Sequence, residues 1–192
     1  MHLQHAFEHL THMLKWLIRN RIAAFERRWG YDASYMRELV DTDVRAFFAF
    51  ARMQGLDRHH RDVPADAYYA AKLVATLDED CGPCTQLAVA MALADGVDGA
   101  TLAAVIERRD ADLPAGPRLA ARFARAALAH DAEATELRAQ IVALWGPRAL
   151  VTLAFAVLTG RMYPTLKFAL GHGQACQRVT IAETTVVPHR AA

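Results

Sequence analysis

The residues with the clearest chemical potential are Cys81-Gly82-Pro83-Cys84, a CxxC that leads into an apolar stretch of helical composition, Leu87 to Ala94. Two thiols at this spacing can close a small disulfide across the first turn of a helix, where unpaired backbone N–H groups favour a thiolate over a thiol. Such a pair does exchange or peroxide chemistry: one thiolate attacks, and the second sulfur resolves the resulting sulfenic acid or mixed disulfide. The helical register turns Cys84, Leu87, Ala88 and Met91 toward one face, so Cys84 is expected to be the more buried sulfur and Cys81 the more exposed one. The preceding run Asp78-Glu79-Asp80 raises a neighbouring thiol pKa and so opposes the helix terminus, while its carboxylates offer a proton relay. A zinc site needs two further ligands, for which only Cys176 and His172 present themselves. An incidental structural pair is the remaining alternative. A thioredoxin-type site shares the letters CGPC but requires a preceding strand in a βαβ pattern, and the helical stretch Tyr68 to Leu77 stands there instead.

The elements that must position this pair are helices almost throughout, because Ala, Leu and Arg dominate while Val, Ile and Thr cluster near the C-terminal end. The expected class is all-α. Phe7, Leu10, Leu14, Leu17, Ile18, Ile22, Phe25 and Trp29 recur at helical steps and predict one long amphipathic helix ending at Gly30. Asp32 caps a second, which stops at Gly55. After the charged connector Asp57 to Asp62, Pro64 announces a helix from Ala65 to Leu77, and the CxxC helix runs to Asp95-Gly96. Helices follow over Ala100 to Arg109, Arg118 to His130, Ala132 to Trp145 and Arg148 to Met162, with Pro164 opening a last one to Gly171. The expected organisation is a helical extension over 1–63 packed on the core, a dithiol domain over 64–176 and an extended or disordered tail over 177–192.

Composition bounds the partners. A chain of 192 residues with 54% apolar content can bury one sizeable core, and 22 basic against 21 acidic residues give no electrostatic footprint for nucleic acid or an anionic membrane. The apolar stretches Cys81 to Ala94 and Ala149 to Gly160 fall short of the roughly 20 residues a spanning helix needs. Glu8, Lys15, Arg19, Arg21 and Glu26 interrupt the first helix, which leaves no signal-peptide core. The expected setting is the cytoplasm, where three cysteines with two in CxxC fit a reactive dithiol better than a secreted disulfide framework. No cofactor and no metal are expected, and so much apolar helix implies self-association.

Between Ala65 and Gly171 the chain resembles the AhpD-like alkylhydroperoxidase branch of the carboxymuconolactone decarboxylase-like superfamily. The resemblance is carried by the helix Tyr68-Tyr69-Ala70-Ala71-Lys72-Leu73-Val74-Ala75, the CxxC helix Cys81 to Ala88, the turn Ala94-Asp95-Gly96, and the helices Arg118 to Leu128 and Leu150 to Arg161. It implies an all-α oligomer in which a hydroperoxide oxidises Cys84, Cys81 resolves the product, and a dithiol or protein reductant restores the pair. Active members usually carry a histidine four residues after the second cysteine and a glutamate about twelve before the first. Here those positions hold Ala88 and Tyr69, neither of which is a base at neutral pH. The candidate replacements are Glu79, Tyr69 and His172, the last four residues before Cys176. The decarboxylase branch uses no CxxC.

Other residues have plainer roles. His2, His5, His9 and His12 form one stripe on the first helix, nearly opposite its apolar face, where a solvated surface competes with transition-metal binding. His59 and His60 fall in the charged connector, His130 suits a helix C-terminus, and Arg161 reads as a helix-terminal cation. Trp16, Trp29 and Trp145 fall on or beside apolar stripes as core or interface residues. Two functional readings follow: a two-cysteine oxidoreductase acting on an organic hydroperoxide, or a redox-responsive or structural oligomer of the same fold with an impaired proton relay. Metal binding by the histidine stripe is a third.

Overall fold

A computed structural model describes residues 2–175 and 178–189, with side chains described at 9 and from 11 onward. The chain is all-α: α1 (His2–Trp29), α2 (Ser34–Thr42), α3 (Val44–Asp57), α4 (Ala65–Asp78), α5 (Gly82–Ala94), α6 (Gly99–Ile106), α7 (Ala115–Leu128), α8 (Glu133–Trp145) and α9 (Pro147–Ala169), followed by a hairpin of β1 (Val179–Ile181) and β2 (Thr184–Val186). It divides into two compact units, Met1–Gly55 and Leu56–Ala192.

In the first unit the expected second helix is two. Asp43 leaves helical geometry (φ −153°, ψ 106°), and its carboxylate accepts the Arg45 N–H at 2.8 Å, so the chain restarts as α3, which runs past Gly55 to Asp57. A short side-chain acceptor competes with the backbone ladder at this position and wins. Asp32 does serve the start of α2, accepting from the Ser34 N–H at 2.9 Å. Glu26 anchors the same turn, taking the Ala33 N–H at 2.8 Å and pairing with Arg37. Trp16 stands 60% exposed and is not a core residue.

The second unit is built around α4. Every residue from Ala67 to Thr76 is buried, because α5, α6, α7 and α9 all pack on this one helix. An alanine-rich helix with apolar residues on every side suits such a position, since small side chains let its neighbours approach. Gly160 shows how closely: a Cβ there would lie 2.7 Å from the Ala75 Cβ and 2.8 Å from the Lys72 carbonyl. Polar groups at this level are paired. Lys72, 7% exposed, forms an ion pair with Asp57, and the same carboxylate oxygen accepts from Thr159 Oγ1 at 2.9 Å and Tyr68 Oη at 3.2 Å.

One expectation fails here and another is narrowed. Pro164 does not open a separate helix but sits buried inside α9, which continues to Ala169. Proline removes the bond to the Gly160 carbonyl, yet the packing of α9 against α4 and α8 keeps the axis running. Among the described residues α9 is therefore the one helix long and apolar enough to cross a membrane, although it carries Arg148, Arg161 and Lys167 and buries Ala149, Leu153, Ala156 and Gly160 against its neighbours as a core helix does. The narrowed one is the tail, expected to be extended or disordered. Its β1 and β2 pair in antiparallel register, Val179 with Val186 and Ile181 with Thr184, and Val179, Ile181 and Val186 join the core. The tail is extended, as its β-branched residues suggest, but it is docked.

Candidate functional site

Cys81 is the residue before α5, in extended geometry (φ −97°, ψ 99°), and Pro83 occupies the first turn, where a missing N–H costs nothing. Cys84 comes round to meet Cys81, and the two are joined in a disulfide with their Cα atoms 5.3 Å apart. The side chain of Thr85 ties the turn down by donating to the Cys81 carbonyl at 2.9 Å.

The relative burial of the sulfurs corrects the helical-face argument. Cys81 is fully buried and Cys84 is 7% exposed. Cys81 lies outside the helix, so its cover comes from elsewhere. The chain leaving α9 runs back across the start of α5, where Ala175 forms an antiparallel bridge with Cys81 and the Gln174 carbonyl accepts the Gly82 N–H at 2.9 Å. One turn further on, the Gln86 amide grips β1 from both sides, donating to the Thr180 carbonyl and accepting the Thr180 N–H, each at 2.8 Å. This strap leaves an open groove of about 620 Å³ lined by Gly82, Pro83, Gln86, Gln174, Ala175 and Arg178. It consumes one helix N-terminal donor, the Gly82 N–H, and leaves the rest of the first turn to polarise the pair.

The three candidate relay groups have different fates. Glu79 sits in the turn just before Cys81, where both its oxygens are occupied: one accepts from Arg161 Nε at 2.5 Å and the other from Thr165 Oγ1 at 3.0 Å. It clamps the α4–α5 turn to α9, and Arg161 is the other half of that clamp. Tyr69 is corrected outright. Its hydroxyl donates to Asp95 Oδ2 at 2.6 Å, and Asp95 caps the far end of α5, about 16 Å from Cys84 at the helical rise. Burial first, then the Asp95 bond, push its phenol well above the ordinary range. It is a donor to Asp95, remote from the sulfurs. His172 belongs to the strap itself: its N–H bonds the Lys167 carbonyl at 2.8 Å, and Gln174 and Ala175, which touch the dithiol turn, follow directly. Of the three, Glu79 and the His172 segment are brought to the dithiol. Ala88, 2% exposed, puts a buried methyl group one turn on from Cys84.

Cys176, and with it the zinc alternative, lies outside the described residues, as do the side chains of His2 and His5; His9 and His12 are exposed on α1. Among the described residues no three His, Cys, Asp or Glu side chains gather as metal ligands do. The connector histidines are packed rather than simply solvated: His59 meets Phe155 edge-on at 5.4 Å and His60 lies over Tyr68 at 4.1 Å between centroids. His130 takes the left-handed position after α7 (φ 55°). The residues that sequence reasoning missed are Gln86, Gln174 and Ala175. A glutamine on a half-exposed helical face carries no signal by itself; its significance depends on which segment docks there.

Compared with protein-family models, with curated proteins and with solved structures, the chain matches none.

Proposed function

We propose that Cys81 and Cys84 form a reversible dithiol/disulfide centre that reduces an organic hydroperoxide. The observation that carries this reading is the pair itself, bonded across the first turn of α5 beside an open groove. In the proposed cycle the Cys84 thiolate attacks the terminal peroxide oxygen, giving Cys84 sulfenic acid and the alcohol. The Cys81 thiol then condenses with it, forming the disulfide and releasing water, and an external dithiol or protein reductant supplies the two electrons that restore the thiols. A cytoplasmic setting would keep the resting pair reduced. Exposed apolar side chains on α9, Val151 at 45% and Leu158 at 47%, fit the self-association that the family resemblance implies.

Ala88 favours a second reading. Without the base that commonly contributes about 10²- to 10⁴-fold, the same dithiol would respond to redox state without efficient turnover. Stoichiometric organic hydroperoxide added to the reduced protein, followed by intact mass and thiol titration, separates the two. Peroxidase function requires a Cys81–Cys84 disulfide within seconds, an inert Cys84→Ser and a sulfenic acid trapped in Cys81→Ser. Oxidation no faster than that of free cysteine would discard the peroxidase and leave the redox-responsive protein.

A further inference from the structure

The run Asp78-Glu79-Asp80 leads straight into Cys81, and by sequence alone its charges all oppose a thiolate there. The structure gives them different surroundings. Asp78 and Asp80 line a cavity at the ends of α4, α6 and α7, and Arg108 and Arg125 line the same space. Arg125 also pairs with Asp110, so the balance of charge on that side is shared among several groups. Glu79 is set toward α9 instead, where Arg161 Nε and Thr165 Oγ1 each donate to one of its carboxylate oxygens, at 2.5 and 3.0 Å. Its side chain is 15% exposed, and among the described residues Arg161 is the one cation bonded to it. The other elements at the dithiol add little. The helix α5 carries no charged residue from Gly82 to Ala94, and the strap brings His172 at its start and Arg178 at the groove.

We infer that Arg161 is a positioning residue for the dithiol: bonded to Glu79, it cancels a carboxylate two residues from Cys81 and so keeps a thiolate accessible near neutral pH. Two residues of chain span at most about 7 Å. That lies inside the screening length of about 8 Å at physiological salt, so an unopposed Glu79 charge would act on the reduced pair with little attenuation. The effect matters more here than beside a dedicated base. Ala88 accepts no proton, so the fraction of the pair present as thiolate depends on the first turn of α5 and on the charges around it. Arg161 acts through Glu79, and the same bond fixes where the carboxylate sits. The inference rests on the reading of Cys81 and Cys84 as a reactive dithiol.

The test is a pH titration of thiolate absorbance in the reduced protein, in a Cys176→Ser background, read as the first apparent pKa of the pair. Arg161→Gln should raise that pKa by about 0.5 to 1, so alkylation at a pH below it should slow about threefold to tenfold. Glu79→Gln, which leaves Arg161 unopposed, should lower it by a similar amount. The double variant should return near the parent, and Arg161→Lys should restore most of the loss. A merely structural clamp predicts otherwise: loosening the turn from either side would move both single variants in the same direction. An unchanged pKa in Arg161→Gln, shifts of the same sign in the two single variants, or an Arg161→Lys no better than Arg161→Gln would each overturn the proposal. No peroxide enters this titration. A failed hydroperoxide assay with these shifts intact would discard the substrate alone, whereas absent shifts beside a working assay would discard the role of Arg161 alone.

Discussion

If the strap over Cys81 controls access to the dithiol, loosening its far anchor should expose a sulfur that the substitution never touches. Gln86→Ala removes the two hydrogen bonds to Thr180, both 2.8 Å. Each such bond contributes about 0.5–1.5 kcal/mol net, and because Gln86 is partly solvated the lower half of that range applies, so the pair is worth about 1–2 kcal/mol. When opening is fast relative to the chemistry, that change multiplies the open population, and therefore the rate, by about 5- to 30-fold. The assay is the rate at which a disulfide reagent labels Cys81 in a Cys84→Ser, Cys176→Ser background, with and without Gln86→Ala. The parent should react far more slowly than free cysteine, since Cys81 is 0% exposed. A parent rate equal to that of free cysteine, or a Gln86→Ala rate unchanged within twofold, would refute the strap as the gate.

Asp57→Ala should destabilise the second unit by about 3–5 kcal/mol in denaturant melts, because it strands buried Lys72, whereas Lys72→Met leaves a carboxylate still bonded to Thr159 and Tyr68 and should cost less; equal losses would argue against this asymmetry. Gly160→Ala should cost at least about 1–3 kcal/mol, since its new methyl meets backbone at 2.8 Å, and a wild-type melting temperature would mean that α9 can slide. His60 has its pKa lowered, chiefly by burial, so the unfolded chain takes up a proton near the ordinary value of about 6.5 before the folded one does. Its contribution is therefore present above that pH and lost as pH falls below it, and His60→Asn should flatten the fall in denaturation midpoint between pH 7.5 and 5.5; identical slopes would remove His60 as the cause.

Much of the helical frame was legible because it is locally encoded. The stretch Ala65 to Leu77 read as helix from alanine content and Pro64, and α5 from Pro83 and its apolar run. The misreadings have one kind of cause. Pro164 is a local stop signal overruled by packing along α9, and Asp43 is a local acceptor that breaks a pattern that apolar periodicity treats as continuous. In both places two competing energies of similar size act at one residue, and periodicity measures only one of them.

The candidate site divides the same way. By itself the sequence determined that two thiols lie within one helical turn, that Pro83 and the following apolar run start a helix there, and that Ala88 provides no base, because these depend on residue type and spacing over a few positions. Only the tertiary structure decided which sulfur is covered, that Glu79 is spent on Arg161 and Thr165, and that Tyr69 points to the other end of α5. The residues that settle these points, Ala175 over Cys81 and Thr180 on Gln86, are 94 positions from their partners, as is shown by the Gln86 to Thr180 separation and the Cys81 to Ala175 bridge. Burial is a sum over neighbours brought together by the packing of α4, α5 and α9, and no spacing rule within one helix contains that sum.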